Sequence, residues 1–160
     1  MLAVQLEPQD IRILTALQAN ARLTNVELSE QVNLSPSQCY RRLKRLEEQG
    51  FIKQYATIVS RRAVGLDVMA FVSVTLDKHG EDPARAFNEA VNRFPEILEC
   101  WAVSGDSDYL LRVVSTDLRS FSNFLMRDML SLPMVAGVKS TILLEEEKNT
   151  TALPLNHLRD

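Results

Sequence analysis

The densest chemistry in this sequence is cationic. Arg41, Arg42, Lys44 and Arg45 place four basic residues in five positions, and no acid follows until Glu47. Guanidinium and ammonium groups at that density suit phosphate, and arginine also reads guanine through paired hydrogen bonds. At helical spacing Ser37, Gln38, Arg41, Arg42 and Arg45 fall on one side with Lys44 flanking, opposite Cys39, Leu43 and Leu46. Glutamine can read adenine, while serine and lysine suit phosphate oxygens. The expected DNA-contact set is Ser35, Ser37, Gln38, Arg41, Arg42, Lys44 and Arg45. Tyr40, between the two sides, is expected to pack.

A second concentration lies at Val103–Tyr109, with Ser104, Gly105, Asp106, Ser107 and Asp108 between. Glycine and aspartate are ordinary hairpin residues. The same run also offers two carboxylates to an ammonium and backbone N–H groups near Gly105 to a carboxylate. An amino acid carries both groups. The rest of the chain offers little to chemistry. His79 and His157 are the only histidines, and neither has a partner at metal-ligand spacing. No phosphate-binding or nucleophile-elbow glycine motif occurs. Glu145–Glu147 reads as a solvated strand end, and Cys39 and Cys100 as small buried hydrophobes. No catalytic set, metal site or cofactor is expected, and an enzyme is not.

The cationic residues need a helix to present them. Pro8 to Asn20 carries Ile11, Ile13, Leu14 and Leu17 at helical spacing. Thr24 with Glu27 forms a capping box for a second helix whose apolar side would be Val26, Leu28 and Val32. After Asn33 and Leu34, Ser35 caps a third helix, with Pro36 first and Gln38 completing the box. Gly50 is placed to end it. Two helices joined by so short a turn, with a third behind, describe a helix-turn-helix, whose second helix can enter the major groove.

Beyond it, Phe51–Val59 alternates as a strand would. From residue 67 the pattern runs strand, helix, strand, strand, helix, strand. The strands are expected at Val68–Leu76, Ile97–Val103, Tyr109–Val114 and Gly137–Leu144. The first of the two helices opens at Asp82–Pro83, carries Ala86, Phe87, Ala90, Val91 and Phe94 on one face and stops at Pro95. The second is capped by Asp117, with a core side of Leu118, Phe121, Phe124, Leu125 and Met129. This order is the ferredoxin-like split βαβ. The fold class is α+β, a winged-type helix-turn-helix of three helices followed by a ferredoxin-like βαββαβ domain. The expected boundaries are 1–60 for DNA binding, 61–67 for a linker, 68–150 for effector binding and oligomerisation, and 151–160 for an extended arm. Arg61 and Arg62 belong to that solvated linker. One sheet face is left bare of helices, with Met69 or Phe71, Trp101 and Leu111 on it according to register, so a homodimer is expected.

Bulk properties agree. The chain has 160 residues, 46% hydrophobic and 24% charged, which fits a folded domain pair rather than a disordered or fibrous chain. No apolar run approaches the ~18 residues that would span a bilayer. Glu7 and Asp10 stand where a signal peptide would be basic and then apolar. No membrane association and a cytoplasmic location are expected. Residues 1–62 carry a net +3 and residues 63–160 a net −6, so the basic charge sits with the helices.

The runs Leu23–Ser29, Leu34–Pro36, Cys39, Arg42–Leu43, Leu46–Glu47 and Gly50–Ile52 resemble the Lrp/AsnC, or feast/famine, family of bacterial and archaeal regulators. Gly105-Asp106-x-Asp108-Tyr109 after Val103-Ser104, and Leu132-Pro133 before the last strand, are similar to the family's effector-domain pattern. The likeness runs from about Leu6 to Thr151. Gln38 departs from it, since the family commonly has a second proline there. The resemblance implies a sequence-specific transcriptional regulator of double-stranded DNA, with an amino-acid effector, of leucine or methionine class among the candidates. The effector would meet Ser104, Gly105, Asp106, Asp108 and Tyr109 at an oligomer interface. It further implies an octamer built as a tetramer of dimers. The alternative reading is an effector-independent nucleoid architectural protein.

Overall fold

The computed structural model describes residues 6–77 and 82–158, so His79 lies outside the described residues. The chain folds as two units. One comprises the residues up to Thr57 together with those from Lys148 onward, and the other runs from Ile58 to Glu147.

The first unit contains helices α1 (Pro8–Ala19), α2 (Asn25–Gln31) and α3 (Pro36–Glu48). Local chemistry sets their ends. Thr24 accepts from the Glu27 N–H while Glu27 accepts from the Thr24 N–H at 2.7 Å, which closes the capping box of α2. Ser35 and Gln38 do the same for α3, with Pro36 in its first turn. Asn33 takes φ +55°, and the Leu34 N–H reaches the Ser29 carbonyl at 3.0 Å. That is a left-handed Schellman closure of α2, and it makes the turn short. Asn25 on α2 also donates to the Pro36 carbonyl at 2.9 Å, which fixes the turn from the other side. Ile13, Ala16, Leu17, Leu28, Val32, Cys39 and Leu46 form the buried core of the three helices. Val26 is excluded from it at 56% exposure, contrary to the sequence expectation. Ser29, about 60° from Val32 and on the buried side, takes the core-facing place and bonds back to the Val26 carbonyl at 2.8 Å.

Phe51–Val59 forms no strand, again contrary to expectation. Alternation alone provides no ladder partner, and Tyr55, Ile58 and Val59 are exposed. The terminal arm belongs to the first unit by contact as well. The Leu153 N–H donates to Gln18 Oε1 at 2.6 Å, and Gln18 Nε2 donates to the Leu153 carbonyl at 3.2 Å. The Gln18 amide therefore acts toward the arm as one residue of a neighbouring strand would.

The second unit is a four-stranded antiparallel sheet of β1 (Val68–Leu76), β2 (Ile97–Ala102), β3 (Tyr109–Ser115) and β4 (Val135–Ile142), in the order β2-β3-β1-β4. Helix α4 (Pro83–Val91) follows β1, and α5 (Leu118–Asn123) follows β3 and continues as a wider π-type turn, Phe124–Met129. Asp82 and Asp117 cap the two helices as expected. Val72, Val74, Phe87, Leu111, Val113, Phe121 and Met129 anchor a core between helices and sheet. Leu118 is exposed rather than on that core side, since it sits in the first turn beside its cap.

Register decides the bare face. Leu111 pairs with Val72 and Cys100 and is fully buried under the helices, which corrects its expected place. Leu110, one residue earlier, takes the other face opposite Ser73 and Trp101. Phe71 and Trp101 are exposed there, while Met69 is buried.

Candidate nucleic-acid interface and effector loop

Helix α3 presents its cationic residues in two different ways. Ser37, Tyr40, Arg41 and Lys44 are exposed. Among the described residues Lys44 makes a loose 3.9 Å approach to Glu48, which carries little energy at a solvated surface. Tyr40 is 58% exposed and joins this outward edge, where the sequence reading had it packing.

Arg42 and Arg45 turn the other way. Arg42 Nη1 donates to Asp10 Oδ1 at 3.0 Å and Nη2 to Glu7 Oε2 at 2.7 Å. Arg45 Nη2 donates to Asp10 Oδ2 at 2.5 Å. The Asp10 side chain is 0% exposed, Arg42 19% and Arg45 37%. A carboxylate so buried must be paired, and here it meets two guanidinium groups and the Glu7 N–H at 2.9 Å. Its charge also lies in the first turn of α1, where the helix dipole favours it. The Glu7 carboxylate, more than burial, sets the direction of the Arg42 shift and holds its pKa up.

The helical wheel explains Arg42, whereas Arg45, about 40° from Arg41, is drawn across by Asp10. At 3.6 residues per turn, Arg42 lies about 60° from Cys39 and about 40° from Leu46, both core residues. Ser37, Arg41 and Lys44 lie within about 60° of one another on the far side. Arg42 was thus legible as a flank residue from its own spacing. Asp10 and Glu7 were missed because nothing local links them to residues some thirty positions on.

Ser35 and Gln38 are engaged in the cap. The Ser35 N–H donates to Gln38 Oε1 at 3.3 Å, and Ser35 Oγ lies 3.1 Å from the same oxygen. Bidentate adenine reading needs both the oxygen and the nitrogen of that amide, so it competes with the capping box. Tyr55 donates to Glu47 Oε1 at 2.8 Å and holds the chain after α3 against that helix. Partial burial first, and the Glu47 carboxylate second, push the Tyr55 phenol up to about 12.

In the loop between β2 and β3, Gly105 has φ +130°, which side-chain-bearing residues rarely adopt. Ser104, Gly105, Asp106 and Asp108 are exposed. Asp108 is built into the sheet. Its Oδ2 accepts from the Leu76 N–H at 2.8 Å, its N–H donates to the Val74 carbonyl at 2.9 Å, and its carbonyl accepts from the Val103 N–H at 3.0 Å. The Tyr109 ring is buried against Phe87 at a centroid distance of 4.7 Å. Of the five residues expected to meet an effector, four are exposed on the loop, Asp108 while also bonded to the sheet, and Tyr109 is buried beneath it. Among the described residues no cluster of three metal-ligating side chains occurs, and no helix is long and apolar enough to cross a membrane.

A capped helix-turn-helix with a cationic outer edge, joined to a βαββαβ unit with an exposed glycine-aspartate loop, defines a DNA-binding regulator with a ligand-binding domain. Comparison with known proteins agrees. The family described as winged helix-turn-helix DNA-binding matches residues 6–53, and that described as Lrp/AsnC ligand binding domain matches residues 69–153. The transcriptional regulator AzlB of Bacillus subtilis (strain 168) is 34% identical over 157 residues, covering 98% of this chain and 100% of its own. The leucine-responsive regulatory protein of Escherichia coli (strain K12) is 39% identical over 144 residues, covering 90% and 88%. A transcriptional regulator from Neisseria meningitidis, solved as its complex with L-methionine, superposes with a TM-score of 0.94 at 47% identity, covering 96% of this chain and 99% of that one. The chain belongs to the Lrp/AsnC family of transcriptional regulators.

Proposed function

We propose that this protein is a cytoplasmic regulator, not an enzyme, that binds operator DNA through α3 and answers to an amino acid at the β2–β3 loop. The carrying observation is the outward edge of α3, where Ser37, Arg41 and Lys44 stand exposed on a helix capped at its start by Ser35 and Gln38. Such a helix can lie in the major groove with its first residues nearest the base edges. Arg41 is assigned to base or phosphate contact, Lys44 and Ser37 to phosphate, and Gln38 to adenine at the cost of its capping bond. Arg42 and Arg45 are assigned to holding the helix.

The effector reading rests on the exposed Asp106 carboxylate and the loop around Gly105. Asp106 would take the ammonium and the loop N–H groups the carboxylate. The printed names of the relatives, one leucine-responsive and one complexed with L-methionine, favour an apolar amino acid of leucine or methionine class. Self-association as a homodimer is supported by Phe71, Trp101 and Leu110 on the sheet face that no helix of the unit covers. A dimer would present two α3 helices to half-sites about 34 Å or a multiple apart. An octamer of four such dimers is the expectation carried by the family.

Two measurements test this. Selection from a randomised duplex pool should enrich one sequence, and failure to enrich any would end the operator reading. Calorimetry with the twenty amino acids should give heat for an apolar one. No heat from any, with enrichment intact, would favour effector-independent DNA architecture instead.

A further inference from the structure

We propose that Asp10 is a positioning residue for DNA recognition, a buried carboxylate that fixes the rotation of α3 through Arg42 and Arg45. The inference rests on the reading of α3 as the DNA-contacting helix. Packing alone holds α3 by an apolar stripe of Cys39, Leu43 and Leu46. An apolar stripe is non-directional and tolerates small rotations. The link to Asp10 does not. Arg42 and Arg45 stand three positions apart on one flank, and each takes a different oxygen of the same carboxylate. Asp10 is fixed in turn by the Glu7 N–H, and Glu7 holds the second amino group of Arg42. The plane of the carboxylate, the start of α1 and the flank of α3 are thereby locked together.

A well-packed apolar triad often stabilises as much as a buried ionic one. What the ionic set adds is direction. Hydrogen bonds to base edges weaken steeply with angle, whereas attraction to phosphate falls slowly with distance. Loss of the link should therefore reduce discrimination between sequences more than it reduces binding to DNA in general. Arg42 and Arg45 carry the helix rather than the phosphates.

The test uses the full chain and two probes, the duplex that the wild-type protein enriches from a randomised pool and poly(dI-dC). Asp10→Asn and Arg45→Gln should each lower the ratio of the two affinities about tenfold, the size of a typical coupling. The salt slope on poly(dI-dC) should stay unchanged in both. Because both changes break one link, the double variant should be no worse than the worse single one. A slope reduced by about one in Arg45→Gln would mark a direct phosphate contact and overturn the proposal. Should Asp10→Asn fail to fold, Glu7→Gln takes the charge from the exposed anchor of Arg42, keeps an acceptor for the α1 cap, and should lower the ratio about two- to threefold. An unchanged ratio in folded Arg45→Gln and Glu7→Gln would also overturn it. If the wild-type chain enriches no duplex, the DNA reading itself falls and takes this inference with it. Enrichment by wild type, with the variants unaffected, defeats this inference alone.

Discussion

Arg42 reaches from the middle of α3 to the first turn of α1, where its guanidinium meets the fully buried Asp10 carboxylate at 3.0 Å. Arginine at this position is a fastening, while its neighbour Arg41 is exposed. Two adjacent residues of one type thus do different work, and their replacement should separate stability from binding.

Arg42→Ala should destabilise the first unit by about 2 kcal/mol or more, because Asp10 keeps Arg45 and the Glu7 N–H but loses one of its two cationic partners. Urea unfolding followed by circular dichroism would measure it. A change within about 0.5 kcal/mol, ordinary for a surface site, would contradict the fastening.

Arg41→Ala should leave the unfolding midpoint unchanged and weaken DNA binding. If Arg41 meets a phosphate, the salt slope falls by about one, and if it meets a guanine, discrimination at that base falls by about 1–3 kcal/mol. Unaltered binding at fixed salt would remove Arg41 from the interface.

In the effector loop, Asp106→Ala and Asp108→Ala should differ. Asp108 accepts from the Leu76 N–H, so its loss should lower the melting temperature with or without ligand, at a cost of about 1–2 kcal/mol. Asp106→Ala should melt like wild type alone and lose the stabilisation given by an amino acid. For wild type that stabilisation reaches about 2.7 kcal/mol at a hundredfold excess over Kd.

Alkaline titration should single out Tyr55. Its phenol is pushed up to about 12, above the ordinary value near 10, so the folded state holds that proton more tightly than the unfolded chain. The contribution of its bond to Glu47 is therefore fully present below pH ~10 and is lost as the pH rises through about 12. Tyrosinate absorbance should show a late step that loses one tyrosine's amplitude in Tyr55→Phe. Identical absorbance curves above pH ~10, apart from the loss of one tyrosine's amplitude at the ordinary value, would contradict the assignment.

Features written into neighbouring residues were legible in the sequence. The capping pairs Thr24 with Glu27 and Ser35 with Gln38 depend on residues three apart, and the structure shows both closed. The strands β1 to β4 and both aspartate caps of the second unit announced themselves by alternation and by type. Features that depend on distant partners were not legible. Arg45 finds Asp10 thirty-five positions away, and Gln18 finds Leu153 at a separation of 135. Leu111 and Leu110 exchange faces on a one-residue register that only the paired strands define. Phe51–Val59 has the alternation of a strand but no ladder within the described chain to join.

The bond from Gln18 to Leu153 gives the molecule an unusual order of assembly. During synthesis the three helices emerge first, yet the piece that seals their flank emerges only after the whole second unit. The head that meets DNA therefore reaches its finished form only after everything between has been made. A prematurely ended chain would carry all three helices and still lack the seal.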